Sequence, residues 1–98
     1  MPKPIYEEVV ERAERVFQAL DASDLIRNKT VELLQDADDR ELLASCTPIG
    51  ATTGAIYIAC ILQKLHITQS ELSEIAKVPT SSIRKHYILL AKGLGLYN

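Results

Sequence analysis

Between residues 49 and 65 the apolar side chains are not confined to one stripe. Ala51, Ala55, Ile56, Ile58, Ala59, Cys60, Ile61 and Leu62 cover most of a helical circumference. A helix that is apolar all round has no face to offer water, so it must lie at the centre of other helices. Thr47-Pro48 supplies a cap and a first-turn proline for it. Gly50, Ala51, Gly54, Ala55 and Ala59 lack bulk and let neighbours approach its axis. Gly54 costs about 1 kcal/mol of helix propensity relative to alanine, so close packing is the reason to expect it there. The longest apolar run, residues 55–62, falls far short of the roughly 20 residues that span a bilayer, and no membrane role is expected.

Helices that could surround this one are written on both sides of it. Ile5, Val9, Ala13, Val16, Phe17 and Leu20 recur at three- and four-residue steps, with Glu7, Glu8, Glu11, Arg12 and Arg15 on the remaining surface. Asp21 and Ala22 break that helix. Ser23 caps a second, expected to run to about residue 37 with Ile26, Thr30, Leu33, Leu34 and Ala37 facing in. An acidic stretch over residues 36–41 follows, and Leu42 and Leu43 are expected to pin it to the core. Thr68 caps a fourth helix while Glu71 reaches back to its open N–H, and Leu72, Ile75 and Ala76 form its apolar stripe. Lys77-Val78-Pro79 interrupts, and a fifth helix runs to about residue 90. Gly93 and Gly95 are expected to end it in left-handed conformations, with Leu94, Leu96 and Tyr97 folding back. With no strand alternation and no internal repeat, the expectation is an all-α, five-helix fold in one domain, residues 1–98.

Charge is distributed unevenly. Residues 1–49 carry 6 Lys/Arg against 11 Asp/Glu, net −5, and residues 50–98 carry 5 against 2, net +3. The basic part contains the fourth and fifth helices, which read together as a helix-turn-helix over residues 68–90. In the fifth helix Ile83, Tyr87 and Leu90 share one face, and Thr80, Ser81, Arg84, Lys85 and Ile88 the opposite one. Small hydroxyl residues at Thr80, Ser81 and Ser82 let the helix end approach a groove, and Arg84 and Lys85 can reach base edges or phosphates. Arg84 can pair bidentately with guanine, worth about 1–3 kcal/mol of discrimination. Lys77 and Lys64 are further phosphate candidates. The competing reading is an ordinary helical corner, with Arg84 in a surface ion pair, for instance with Glu74. The acidic face of Glu7, Glu8, Glu11, Glu14, Asp36, Asp38 and Asp39 is a solvated surface or a seat for a basic partner.

Two cysteines and two histidines make no metal-ligand cluster. Cys46 and Cys60 lack metal-ligand spacing, and Cys60 sits in an apolar run where a buried thiol is the default. With no secretory leader pattern, the chain reads as intracellular and reduced. His86 lies at the edge of the core face as a partly buried packing residue, and His66 on the surface. No nucleophile-and-base spacing or phosphate-cradling glycine loop is present, so neither enzyme activity nor a cofactor is expected.

At Pro48-Ile-Gly-Ala-Thr-Thr-Gly-Ala-Ile-Tyr-Ile-Ala59, followed by Thr68-Gln69, Glu71, Ile75-Ala76, Val78 and Ser82-Ile83-Arg84 with Tyr87, the chain resembles the cyclin-like repeat of transcription factor B. This is the general initiation factor of archaea, similar to factor IIB of eukaryotes. Tyr6, Arg15 and Val16 stand where that family often has an aromatic and an Arg-Phe pair, and Leu20 with Ser23 matches its helix break. The resemblance is to the second, C-terminal of two repeats. It implies a cyclin-like fold, a helix-turn-helix in the major groove beside the TATA box, and promoter DNA and the TATA-binding protein as partners. RNA polymerase is a partner if the chain is part of a longer one. The implied location is cytoplasmic on the nucleoid, or nuclear in a eukaryote. Arg84 matches the base-reading arginine, and Thr80, Ser82 and Lys85 are its neighbours. Ser81 departs from the family's common valine, removing an apolar contact to a thymine methyl. Ser45-Cys46 stands where a glycine and a basic residue are usual. No Cys-x-x-Cys zinc ribbon or first repeat is present, so the chain reads as an excised domain or a free-standing single repeat. The leading expectation is a promoter-binding core domain. The alternative is a cyclin-like interaction module that has lost sequence-specific DNA binding.

Overall fold

Thr47 starts the central helix as its spacing predicts: its hydroxyl accepts the Gly50 N–H at 3.1 Å, and Pro48 fills the first turn. In the computed structural model, which describes residues 5–96, this helix is α3 (Pro48–Leu62), preceded by α1 (Ile5–Leu20), α2 (Asp24–Asp39) and a 3-10 turn (Leu42–Ser45), and followed by α4 (Gln69–Ala76) and α5 (Thr80–Gly93). There is no strand among the described residues. The side chain of Ile5, and Tyr97 in the expected tail, lie outside them.

Of residues 50–60 only Tyr57 escapes full burial, so α3 is the hub that its composition demands. The α1 stripe of Val9, Ala13, Val16 and Phe17 and the α2 stripe of Ile26, Leu33, Leu34 and Ala37 close over it from one side, and Ile83 and Leu90 of α5 from the other. Full burial of each large aliphatic or aromatic chain contributes about 1.5–3 kcal/mol. The buried hydroxyls are satisfied. Thr52 Oγ1 lies 2.8 Å from the Pro48 carbonyl and 3.0 Å from that of Val9, and Thr30 Oγ1 donates to Ile26 at 2.7 Å. The all-round apolar pattern fails in the last turn of α3, where Ile61 and Leu62 are exposed.

Small residues on α3 do let α5 in. A Cβ at Gly54 would stand 2.9 Å from the Tyr87 backbone nitrogen. Tyr57 and Tyr87 then meet at 4.8 Å between ring centroids, tilted by 49°.

Helix ends depart from expectation. α3 stops at Leu62 rather than 65, because Lys64 turns left-handed at φ 59° and the Leu65 N–H returns to the Cys60 carbonyl at 2.8 Å. The same closure recurs after α1 at Asp21 (φ 53°), after α4 at Lys77 (φ 58°) and after α5 at Gly95 (φ 74°). These are left-handed helix caps of the kind usually built on glycine. Gly93, expected to share that role, is helical instead: the methyl carbons of Leu42 lie 2.6 Å from where its Cβ would be. α2 and α5 run on to Asp39 and Gly93, two and three residues beyond their expected ends. Arg40 joins those two ends by donating to the Gly93 carbonyl at 3.2 Å.

Candidate nucleic-acid interface

α4 is held at its start by both halves of a capping box. Thr68 Oγ1 accepts the Glu71 N–H at 3.0 Å, and Glu71 Oε1 accepts the Thr68 N–H at 3.4 Å. Leu72 anchors α4 in the core. At its end the left-handed Lys77 swings the chain round, and the Ser73 hydroxyl donates to the Val78 carbonyl across the turn. Pro79 then occupies the N-cap of α5 and offers no side-chain acceptor. The Ser82 and Ile83 N–H groups return to the Pro79 carbonyl at 3.1 and 3.3 Å, so the donors that this end presents outward are the N–H groups of Thr80 and Ser81.

Thr80, Ser81, Arg84 and Lys85 are exposed around that end. Arg84 makes no ion pair among the described residues, with Glu74 or any other carboxylate. Ser82 is half-buried, its hydroxyl 3.4 Å from His86 Nδ1. Ile88, expected on the open face, is half-buried too.

His86 is the correction of most consequence. Expected at the edge of the core, it is only 4% exposed. Its Nδ1 donates to the Ser82 carbonyl at 2.7 Å, and its Nε2 accepts the Thr47 N–H at 3.4 Å, which fits a neutral ring protonated on Nδ1. The ring lies on Gly50, where a Cβ would stand 2.3 Å from it. One side chain thereby ties the first turns of α5 to the cap of α3.

Cys46, just before that cap, lies close enough to Lys85 to feel its charge. Burial pushes the Cys46 thiol up, and the Lys85 ammonium partly opposes this.

Lys77 lines a cleft of about 190 Å³ with Arg12, Arg15, Val16, Ile49, Ile75 and Ala76. Sequence spacing put the two arginines on the outer surface of α1 and gave no sign that they meet the turn before α5. Lys64 is not part of this group. It borders a different hollow, with Tyr57, Ile61, Leu65, His66 and Ile67, at the C-terminal end of α3.

The acidic face is partly neutralised by neighbours: Glu8 pairs with Arg12 at 3.3 Å, Glu14 with Arg27 at 2.7 Å and Asp36 with Arg40 at 3.1 Å. Among the described residues no three His, Cys, Asp or Glu converge as a metal site, and no helix is long and apolar enough to cross a membrane.

Comparison with known proteins gives this geometry a family. Residues 7–93 match the profile of the transcription factor TFIIB repeat. The chain is 30% identical over 95 residues to transcription initiation factor IIB of Pyrococcus abyssi, an alignment covering 97% of this chain and 32% of that protein. It is 37% identical over 82 residues to the factor of the same name from Archaeoglobus fulgidus, covering 84% of this chain and 25% of that one. For the Methanosarcina mazei protein the figures are 35% over 82 residues, 84% and 24%. The chain thus spans a third or less of the length of these curated relatives. The five helices among the described residues are the cyclin-like all-α fold of that repeat, and the chain belongs to the transcription factor TFIIB repeat family.

Proposed function

We propose that this domain acts in transcription initiation by binding promoter DNA, with the N-terminal turns of α5 in the major groove and the TATA-binding protein alongside. The observation that carries this reading is the start of α5. It combines a helix end without a side-chain cap, exposed Thr80 and Ser81, an Arg84 with no ion pair among the described residues and an adjacent Lys85 on a helix fixed from beneath by His86. Donors without local acceptors suit base edges and phosphates. The relatives named transcription initiation factor IIB support the same role. The domain's part in it is binding rather than chemistry, and any contact with RNA polymerase belongs to a longer chain.

Fluorescence anisotropy on a duplex containing a TATA box and its upstream flank, with and without an archaeal TATA-binding protein, tests this. Arg84→Ala weakens binding to that duplex by about tenfold, equivalent to ~1.4 kcal/mol, and binding to a scrambled duplex much less. Lys85→Ala weakens both alike and flattens the salt dependence. Unchanged binding in both variants would overturn the assignment.

A second reading, an interaction module without DNA binding, draws on the exposed Ile61, Leu62, Leu65 and Leu96 and on serine at position 81. Its signature is absence of any anisotropy change at low salt, with or without the TATA-binding protein.

A further inference from the structure

We infer that the cleft formed by Arg12, Arg15 and Lys77 is a second nucleic-acid contact, a seat for a backbone phosphate of the duplex whose groove receives α5. The inference rests on the DNA-binding reading above and adds to it a helix, α1, that the charge pattern alone would keep off DNA.

Three cations from two separate elements border one open hollow of about 190 Å³, whose remaining wall is Val16, Ile49, Ile75 and Ala76. Like charges gathered on an apolar floor repel one another, and an anion between them removes the repulsion. Only one of the three is compensated: Arg12 holds Glu8 through Nη2 at 3.3 Å, while Arg15 and Lys77 make no ion pair among the described residues. Arg12 Nε is moreover the one buried side-chain polar atom among the described residues without a hydrogen-bond partner. The Arg12 side chain as a whole is 41% exposed, so an incoming oxyanion meets its open part rather than Nε.

Position selects the source of that anion. Lys77 precedes Thr80 by three residues, so its Cα lies within about 11 Å of the start of α5. The major groove is about 12 Å wide, so a residue within that distance of an inserted helix end can reach the phosphates at the groove's edge. An isolated phosphate or an acidic peptide would satisfy the charge but gives no reason for the cleft to sit beside this particular helix start.

The test uses the whole chain and a 24-base-pair TATA-flank duplex carrying single methylphosphonate linkages at successive positions. Arg15→Gln and Lys77→Gln are made at exposed sites, and folding is checked by thermal unfolding. Each variant lowers affinity roughly three- to tenfold for TATA-flank and scrambled duplexes alike, and the pair reduces the slope of log K against log salt by about 1, one phosphate's worth. One methylphosphonate position weakens the wild-type chain but has no further effect on the variants. Variants that bind as tightly as wild type, with an unchanged slope, overturn the phosphate seat while leaving the role of α5 intact. Loss of all duplex binding by the wild-type chain overturns both. Binding to poly-glutamate that depends on Arg15, with duplex binding unaffected, overturns it in favour of an acidic protein partner.

Discussion

The imidazole of His86 occupies the space that any side chain at residue 50 would need, its Cε1 and Nε2 each 2.3 Å from an ideal Cβ on Gly50. The two residues are therefore one packing unit, and each should tolerate change only with the other. Gly50→Ala should destabilise by about 1–3 kcal/mol through overpacking. His86→Ala opens a void and frees the Thr47 N–H, and combining the two should recover part of the loss. A double-mutant cycle by urea unfolding measures the coupling, expected at about 0.5–3 kcal/mol. Strict additivity would show that the ring moves aside freely.

Lys77 sits at φ 58°, a conformation that costs a residue with a Cβ about 1–2 kcal/mol. Lys77→Gly removes that strain at the expense of about 0.5–1 kcal/mol of unfolded-chain entropy, so the domain should gain a few tenths to about 1 kcal/mol. The same change removes a proposed phosphate contact. Thermal unfolding and duplex binding should thus move in opposite directions, Tm upward and affinity downward.

Thr68→Ala removes one half of the capping box and should cost about 1 kcal/mol. α4 has only eight residues, too few to persist as a helix without its cap and its docking through Leu72. Amide exchange should consequently speed up more in residues 69–76 than in α3. A uniform change across both helices would contradict this.

Burial raises the thiols of both Cys46 and Cys60, and Lys85 works against that rise only at Cys46. The folded state therefore holds its thiol protons more tightly than the unfolded chain does. Their contribution to stability is complete below the unfolded thiol pKa and is lost as pH rises through the higher folded values. Unfolding free energy should fall on the alkaline side, and Cys60→Ala should flatten the decline. Removing Lys85 leaves the burial effect at Cys46 unopposed. Lys85→Ala should accordingly slow iodoacetamide labelling of Cys46 at pH 8.

Most of the fold was legible because its signals are local and redundant. Thr47-Pro48, Ser23 and the Thr68–Glu71 pair each mark a helix start, and all three cap hydrogen bonds form. Helix stops were less legible. Three of the four left-handed closures use Asp21, Lys64 and Lys77, residues that carry no glycine-like signature, and each is closed by a backbone hydrogen bond from the next residue back to the last turns of its helix. The turn and exposed face before and along α5 could be read from spacing, since Thr80, Ser81, Arg84 and Lys85 are all exposed. What spacing could not supply was anything that depends on two distant helices meeting. The Gly50–His86 interlock spans 36 positions and the Arg15–Lys77 cleft 62. A glycine in a helix and an arginine on its outer face look the same whether or not a partner lies opposite.

The missing cap at Pro79 has a consequence for competition. A helix that began with serine or aspartate would carry its own acceptor and could stand alone in water with its first turn complete. This one leaves the complement to be brought from outside. On the proposed reading, what docks there arrives with acceptors already in order, which favours stiff, regularly charged polymers over flexible acidic chains that lose freedom on binding. A folded protein whose carboxylates imitate the spacing of a duplex would meet the same requirement, and on the proposed reading would compete with DNA for this helix end.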